Sequence, residues 1–336
     1  MSKEDKLIQQ SKKITIGIYN SSTPIIPIFV EKAKRAEKLF ISNNFEIVYG
    51  NLSFSSDDYR SGTPQERADE INELIKNKNV NVLLSSIGGN NTSSILEYLD
   101  YENIKKSKCK IIGHSDTTVL AIAIYAKTNE ITYYGASYIV GFDNQKYIND
   151  FHINALIENC INDKIGLISS PSEYTEQFIP WTNENPVPNK LMKPNELTTV
   201  SEGVVEGLLI GGNLSSFLPM IGTEYFPKME NETILFFEET CQSDNLSLAL
   251  VEKNIASLRN TGILHKIKGL IIGKCEGFEE ISKGVKYYDF IKEFIYDLNI
   301  PILAEFDLAH TLPIMTIAVG SLIKLDATNK TITRLK

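Results

Sequence analysis

The sequence predicts an α/β protein whose main sheet is mostly parallel. Short apolar runs alternate with helical patterns along the N-terminal half, and parallel neighbours need such crossover helices between them. The chain has 336 residues, of which 42% are hydrophobic and 23% are charged, so it can bury a large core and is not disordered. This length predicts about two domains.

The N-terminal half contains alternating strands and helices. The clearest helix start is at Thr63, where a threonine cap is followed by Pro64 and by Glu66, the pattern of a capping box. The apolar runs and helical spacings predict strands at 13–19, 45–49, 80–84 and 109–112, and helices at 27–43, from 63 onward, at 94–99 and from 118 onward.

The pattern weakens after a helix predicted at 147–162, and residues 170–198 contain five prolines. We therefore predict an N-terminal α/β domain at 1–168, a Pro-rich connector at 169–198 and a C-terminal domain at 199–336. In the C-terminal domain the sequence predicts strands at 204–210, 233–239 and 269–276, helices at 249–264 and 288–298, and a terminal β-hairpin within 316–333. The fold class is a mainly parallel sheet flanked by helices, of the amidotransferase or flavodoxin-like type, plus a smaller C-terminal α/β domain.

Composition argues against several functions. The net charge is −8 and no basic cluster is denser than 105–108, so neither nucleic acid nor an anionic membrane is expected as a partner. No apolar run approaches the roughly 18 residues of a membrane span, and no apolar signal region follows the N-terminus. The four cysteines form no C-x-x-C pair or zinc-ligand pattern. We expect a cytoplasmic protein without metal or cofactor.

Ser115 lies between an apolar strand and a helical pattern, at the apex of a predicted tight turn. A nucleophile in such an elbow is exposed, and it has the helix N-terminus behind it. Gly113 precedes the serine by two residues, but Thr117 stands where G-x-S-x-G has its second glycine. The alternative is that Ser115 or Asp116 only caps the helix. Local sequence leaves both interpretations open and favours the cap.

A serine nucleophile needs a base, and the chain has four histidines. His310 lies in a loop before the terminal hairpin, where catalytic bases are often found. The ring of His114 is expected to point away from the neighbouring serine. His152 and His265 are predicted to lie on the surface.

The third member of such a triad is a carboxylate that orients the imidazole. Glu238 and Glu239 end an apolar strand, where an unpartnered carboxylate is costly. Successive strand side chains face opposite ways, so only one of the two can face His310.

Six motifs, in order along the chain, resemble those of the LD-carboxypeptidase family of serine peptidases, which also contains the microcin C self-immunity peptidases. The motifs lie at 61–68, 88–91, 113–118, 211–214, 234–239 and 306–313. The resemblance spans nearly the whole chain.

The resemblance implies Ser115 as nucleophile, His310 as base and Glu238, rather than its neighbour, as orienting acid. It also implies that backbone amides near Gly89 and Asp116 stabilise an oxyanion.

His114 departs from the family pattern, which more often has an aromatic or aliphatic residue there. The single tryptophan, Trp181, either packs the domains together or stacks on a ligand. Members of the microcin type carry a tryptophan that stacks on a nucleobase, and Asn213 and Glu276 match positions that such members use for polar substrate contacts.

The resemblance therefore favours a homodimeric enzyme that hydrolyses the amide between an aminoacyl group and a nucleotide-like moiety. One alternative is an LD-carboxypeptidase that removes a terminal D-residue from murein tetrapeptide. The other is a small-ligand binding protein without catalysis.

Overall fold

The computed structural model describes residues 13–177, 179, 192–229, 232–241 and 245–336. The strands in these residues are β1 (Ile14–Tyr19), β2 (Phe45–Tyr49), β3 (Val80–Ser85), β4 (Lys110–Gly113), β5 (Thr132–Tyr134), β6 (Gly166–Leu167), β7 (Glu173–Tyr174), β8 (Lys193–Pro194), β9 (Thr198–Ser201), β10 (Val204–Asn213), β11 (Thr233–Thr240), β12 (Gly269–Glu276), β13 (Ile302–Phe306), β14 (Ile317–Val319), β15 (Leu322–Asp326) and β16 (Thr331–Arg334).

Two sheets form the framework. The first has the order β14-β5-β4-β3-β1-β2 and is parallel except at β14. The second has the order β6-β16-β15-β10-β11-β12-β13-β9, with β10 to β13 parallel in its centre and antiparallel strands on both sides. Strands β7 and β8 form a small ribbon. The predicted α/β class is confirmed.

Helices connect the parallel strands. The α-helices are α1 (Ile25–Ile28), α2 (Val30–Ser42), α3 (Pro64–Lys76), α4 (Tyr101–Lys106), α5 (Thr118–Thr128), α6 (Tyr138–Gly141), α7 (Lys146–Ala155), α8 (Leu214–Phe217), α9 (Asn245–Asn260), α10 (Phe278–Ile281) and α11 (Tyr287–Ile295). Short 3₁₀ segments lie at Thr92–Tyr98, Ser115–Thr117, Leu218–Met220 and Ile263–His265, and a π segment at Leu156–Ile161 extends α7. In the described residues no helix is both long and apolar enough to cross a membrane.

Helix α3 begins as the sequence predicts. The Thr63 hydroxyl accepts the amide of Glu66 at 3.3 Å, and the Glu66 carboxylate accepts the amide of Thr63 at 2.8 Å. These two hydrogen bonds satisfy donors that a helix start leaves unpaired.

Helix α5 lies between the two sheets. It is apolar on all sides, as in Val119, Leu120 and Ile122, and each of these is at most 1% exposed. The helix contacts β4 and β5 of the first sheet and β10 of the second. A helix without a polar face is stable only when it is covered all round. The packing of α5 between the two sheets therefore holds the turn that precedes it in place.

The predicted terminal hairpin is only partly correct. Strands β15 and β16 form it, but β14 pairs with β5 in the first sheet. Gly320 separates β14 from β15 with φ of +89°, and a Cβ there would lie 2.3 Å from the ring of Tyr125. Apolar periodicity predicts strands but not the sheet each one joins. Strand β14, from the predicted C-terminal domain, thus joins the first sheet, and β6, from the predicted N-terminal domain, joins the second sheet through β16. The domain boundaries at 168 and 199 stay a prediction.

Candidate active site

Ser115 occupies a tight turn between β4 and α5. Its φ of +61° is rare for a residue with a side chain, and it is the geometry of a strained nucleophile elbow. Small neighbours make the turn possible. A Cβ on Gly113 would lie 2.1 Å from the Thr117 hydroxyl, and one on Gly88 would lie 2.9 Å from the Cβ of Ser115. The Ser115 hydroxyl makes no cap bond to the helix and faces His310 instead, so the cap interpretation is wrong for this serine.

Three side chains predicted from the sequence meet at this turn. Nε2 of His310 lies 3.0 Å from Oγ of Ser115, and Nδ1 lies 2.7 Å from Oε2 of Glu238. The hydroxyl of Tyr134 donates to Oε1 of Glu238 at 2.8 Å. Each carboxylate oxygen of Glu238 therefore has a partner, as a buried charge requires. Because carboxylate oxygens accept, His310 carries its proton on Nδ1 and presents a lone pair to the serine.

Burial and charge act in opposite directions on this pair. Burial alone would raise the pKa of Glu238, which is 0% exposed, but the adjacent imidazole outweighs burial and lowers it below its ordinary value. Burial alone would lower the pKa of His310, but the Glu238 carboxylate outweighs it and raises the pKa above its ordinary value. The geometry thus favours an ionised glutamate beside an imidazole that readily takes up a proton.

The neighbouring Glu239 faces the other side of β11. Its carboxylate accepts from Nδ2 of Asn254 at 2.9 Å. Burial, together with the negative charge of Glu238, raises the pKa of Glu239 to about 7. The two consecutive glutamates therefore face opposite sides, as strand alternation requires.

The loop after β3 lies directly against the elbow. A Cβ on Gly88 would be 3.0 Å from the backbone nitrogen of Asp116. Gly89 has φ of +150°, and a Cβ there would lie 2.2 Å from Oγ of Ser22. That hydroxyl accepts the amides of Asn90 at 3.1 Å and Asn91 at 3.2 Å, which fixes the loop.

Asp116 holds the same loop from the elbow side. Its Oδ2 accepts the amides of Asn91 at 3.0 Å and Thr92 at 2.9 Å, and the Thr92 hydroxyl at 2.8 Å. The buried guanidinium of Arg67 donates to the side-chain oxygen of Asn91 at 2.7 Å and to the carbonyl of Gly62 at 2.9 Å. These hydrogen bonds therefore hold the backbone near Gly89 and Asp116 beside Ser115. Sequence reasoning did not assign Arg67 to the site.

The predicted polar substrate contacts have partners within the protein. Asn213 is 3% exposed, and its side-chain oxygen caps α8 by accepting the amide of Ser216 at 3.1 Å. Glu276, at the end of β12, accepts the hydroxyl of Thr240 at 3.0 Å, and burial raises its pKa. The Glu276 charge also contributes to the raised pKa of His310. Trp181 lies outside the described residues.

A cavity of about 390 Å³ opens beside the elbow, between α5, α8 and the 3₁₀ segment Thr92–Tyr98. Both apolar and polar side chains line it, as in many small-molecule sites. The lining residues include Leu96, Val119, Met220, Asn90 and Ser215.

Two of the four histidines, His114 and His152, are buried in the protein. His152 was expected on the surface, but it is only 1% exposed. It lies four residues after Ile148, on the buried face of α7, and this helical spacing could have indicated its burial from the sequence. His114 is 3% exposed, and its ring centroid lies 4.4 Å from that of His310. His265 is exposed, as expected.

Within the described residues, one cluster has metal-ligand character. Ligand atoms of His114, Glu238 and His310 lie within 4.8 Å of one another. However, both ring nitrogens of His310 are bonded to Glu238 and Ser115, so a metal would have to displace the triad hydrogen bonds.

The two halves of the chain match the two domains of one peptidase family. Residues 16–135 match the LD-carboxypeptidase N-terminal domain, and residues 206–325 match the LD-carboxypeptidase C-terminal domain. The chain belongs to the LD-carboxypeptidase family and is a serine-type carboxypeptidase or amidase, which confirms the resemblance drawn from the motifs.

Among its relatives is the microcin C7 self-immunity protein MccF of Escherichia coli. The two are 35% identical, over 95% of this chain and 92% of that protein. A Vibrio cholerae protein named as a carboxypeptidase is 33% identical, over 94% and 93% of the two chains. The structure of MccF with aspartyl sulfamoyl adenosine matches with a TM-score of 0.91 and 33% identity, over 97% of each chain.

Proposed function

We propose that this protein is a serine amidase of the microcin-immunity type, which hydrolyses the amide between an aminoacyl group and a nucleotide-like moiety. The observation that carries the proposal is the hydrogen-bonded series from Glu238 through His310 to Ser115, at a strained elbow. The similarity of this chain to MccF, whose structures contain aminoacyl sulfamoyl nucleosides, supports the proposed substrate class.

The geometry suits acyl transfer through a covalent intermediate. Nε2 of His310 takes the proton of the Ser115 hydroxyl while Oγ forms a bond to the acyl carbon. Amides near Gly89 and Asp116 stabilise the oxyanion. The C–N bond then breaks, and His310 gives its proton to the leaving nitrogen.

A water molecule completes the cycle. It attacks the acyl carbon while His310 takes one of its protons, and the bond to Ser115 Oγ breaks as that oxygen regains a proton. The products are the free acid, the amine and the unchanged enzyme. Throughout, Glu238 holds the imidazole in the required tautomer and stabilises its charged form.

We assign substrate contacts to three further residues. Glu276, near the triad, suits a cationic amino group, because its carboxylate lies at the end of β12 and acts electrostatically on His310. The side-chain amide of Asn213 serves a polar group beside α8, and Trp181 stacks on the base. We also propose a cytoplasmic homodimer; sedimentation of the purified protein tests its oligomeric state.

The second candidate is an LD-carboxypeptidase acting on murein tetrapeptide, which the family and the Vibrio cholerae relative support. Hydrolysis of an aminoacyl sulfamoyl adenosine and of a murein tetrapeptide, measured side by side, decides between the two. A protein that cleaves neither and does not react with a phosphonofluoridate would be a binding protein instead.

Trp181→Ala is expected to lower kcat/KM for a nucleotide-bearing substrate by roughly 5- to 150-fold. Stacking of an aromatic side chain on a base is worth about 1–3 kcal/mol, and each 1.4 kcal/mol is tenfold. The murein peptide has no ring to stack on and should be cleaved as before. Trp181→Phe, which keeps an aromatic ring, is the matched control. An equal loss for both substrates, with a lower Tm, would assign Trp181 to domain packing.

The kcat/KM of the enzyme should rise with pH around a midpoint above about 6.5, the ordinary histidine value. His310 must be neutral to accept the serine proton, and Glu238 raises its pKa. Glu276→Gln removes another negative charge that raises this pKa, so its midpoint should be lower. A wild-type midpoint below about pH 6 would contradict the assignment of His310 as a base paired with an ionised glutamate.

A further inference from the structure

The segment that carries His310 is a loop between β13 and β14, which belong to different sheets. Its ends meet where the amide of Met315 donates to the carbonyl of Asp307 at 2.8 Å. Asp307 is itself held by Lys274 Nζ at 2.7 Å. The base of the loop is therefore fixed at Asp307 and Met315.

On the N-terminal side of His310 the loop is held by His114. Nε2 of His114 lies 3.0 Å from the carbonyl oxygen of Ala309. A carbonyl only accepts, so His114 carries its proton on Nε2 and donates it. The ring packs between Tyr134, at 5.5 Å between centroids, and His310, at 4.4 Å. Burial lowers the pKa of His114 to about 3, so the ring is neutral at ordinary pH.

On the C-terminal side the loop is held by Thr175, whose backbone exchanges two hydrogen bonds with Leu312, and by His152, which contacts Ile314. Nε2 of His152 accepts the amide of Ile314 at 2.8 Å, and its Nδ1 donates to the carbonyl of Gly141 at 2.5 Å. This arrangement requires the neutral ring, because a protonated Nε2 could not accept. Burial lowers the pKa of His152 to about 4, in agreement with that requirement.

We propose that His114 and His152 are positioning residues, which hold the loop on either side of His310 and so place its Nε2 at the Ser115 hydroxyl. The proposal rests on the proposed function, in which His310 is the base. Neither histidine touches the serine hydroxyl or takes part in proton transfer. Misplacing a reacting group by about 1 Å costs on the order of 100-fold in rate.

The test compares substitutions that remove each hydrogen bond with ones that keep it. His114→Phe keeps a ring but loses the donor to Ala309, and His152→Phe loses the acceptor for Ile314. Each should lower kcat by roughly 10- to 100-fold with little change in KM, since the loss falls on the transition state. Glutamine can donate to Ala309 at position 114 and accept from Ile314 at position 152. Both glutamine variants should recover most of the lost rate.

The controls separate positioning from stability. His265→Phe changes an exposed histidine whose side chain contacts Asp297, outside the loop, and should leave kcat unchanged. If a phenylalanine variant does not fold, the asparagine variant takes its place, because asparagine is polar but too short to reach the loop. Phenylalanine variants that fold and retain the wild-type kcat would overturn the proposal. Glutamine variants with a kcat no higher than that of the phenylalanine variants would overturn it as well.

Failure of the proposed function gives a different result. Wild-type protein that neither cleaves the substrates nor reacts with a phosphonofluoridate would refute the function. Amide exchange at Ile314 still reports on the loop in that case. It should speed up in His152→Phe and return towards the wild-type rate in His152→Gln, and an unchanged rate would refute the contact itself.

Discussion

Ser115→Ala is expected to lower kcat for an aminoacyl sulfamoyl nucleoside by up to about 10⁶-fold, with Tm nearly unchanged. Only the hydroxyl is lost, so the elbow and its packing remain, whereas no other group can form the acyl-enzyme. Losses of this size follow removal of a triad serine. Single-turnover kinetics and a melting curve on the same preparation provide the measurement.

The triad members should also act as one unit. Ser115→Ala combined with His310→Ala is expected to be about as slow as Ser115→Ala alone, because the base has no function without the nucleophile. Ser282→Ala, on the far end of α10, is the matched control and should turn over normally. A Ser115→Ala protein within tenfold of the wild-type rate would exclude the serine mechanism.

Glu238→Gln should lower kcat by roughly 10⁴-fold, as for a triad acid replaced by its amide. The amide offers a donor as well as an acceptor and so permits the wrong tautomer of His310. Glu239→Gln is the matched control, one residue away on the same strand. Glu239 has a pKa of about 7 and bonds to Asn254, so glutamine resembles its protonated form and should leave kcat nearly unchanged.

Measuring kcat for Glu238→Gln and Glu239→Gln at one pH decides which of the two glutamates orients His310. A loss of equal size in the two would contradict the assignment of Glu238 alone as the residue that orients His310. A larger loss in Glu239→Gln would transfer the orienting role to Glu239.

Apolar periodicity predicts the sheet type, and it places Ser115 and Glu238 at the ends of predicted strands, where they become candidates for a triad. Local sequence could not decide between a helix cap and a nucleophile at Ser115. That distinction depends on φ at one residue and on His310, which is distant along the chain. The resemblance supplied what local pattern lacked.

Other errors have equally specific causes. His152 lies in a helix that also carries Lys146, Asn149 and Asp150, and its ring nitrogens contact Gly141 and Ile314, the latter more than 150 residues away along the chain. The position of β14 depends on pairing between distant strands, which no short window contains.

The path of the chain between β13 and β14 constrains how the two sheets can move. Ser115, the proposed nucleophile, follows a strand of the first sheet, Glu238 lies on a strand of the second, and His310, the proposed base, lies on the segment that joins them. A hinge motion that separates the two sheets would stretch this segment and move the His310 imidazole away from the Ser115 hydroxyl. In the proposed mechanism the hydrogen bonds from Glu238 through His310 to Ser115 therefore require the two sheets to keep their relative position during catalysis.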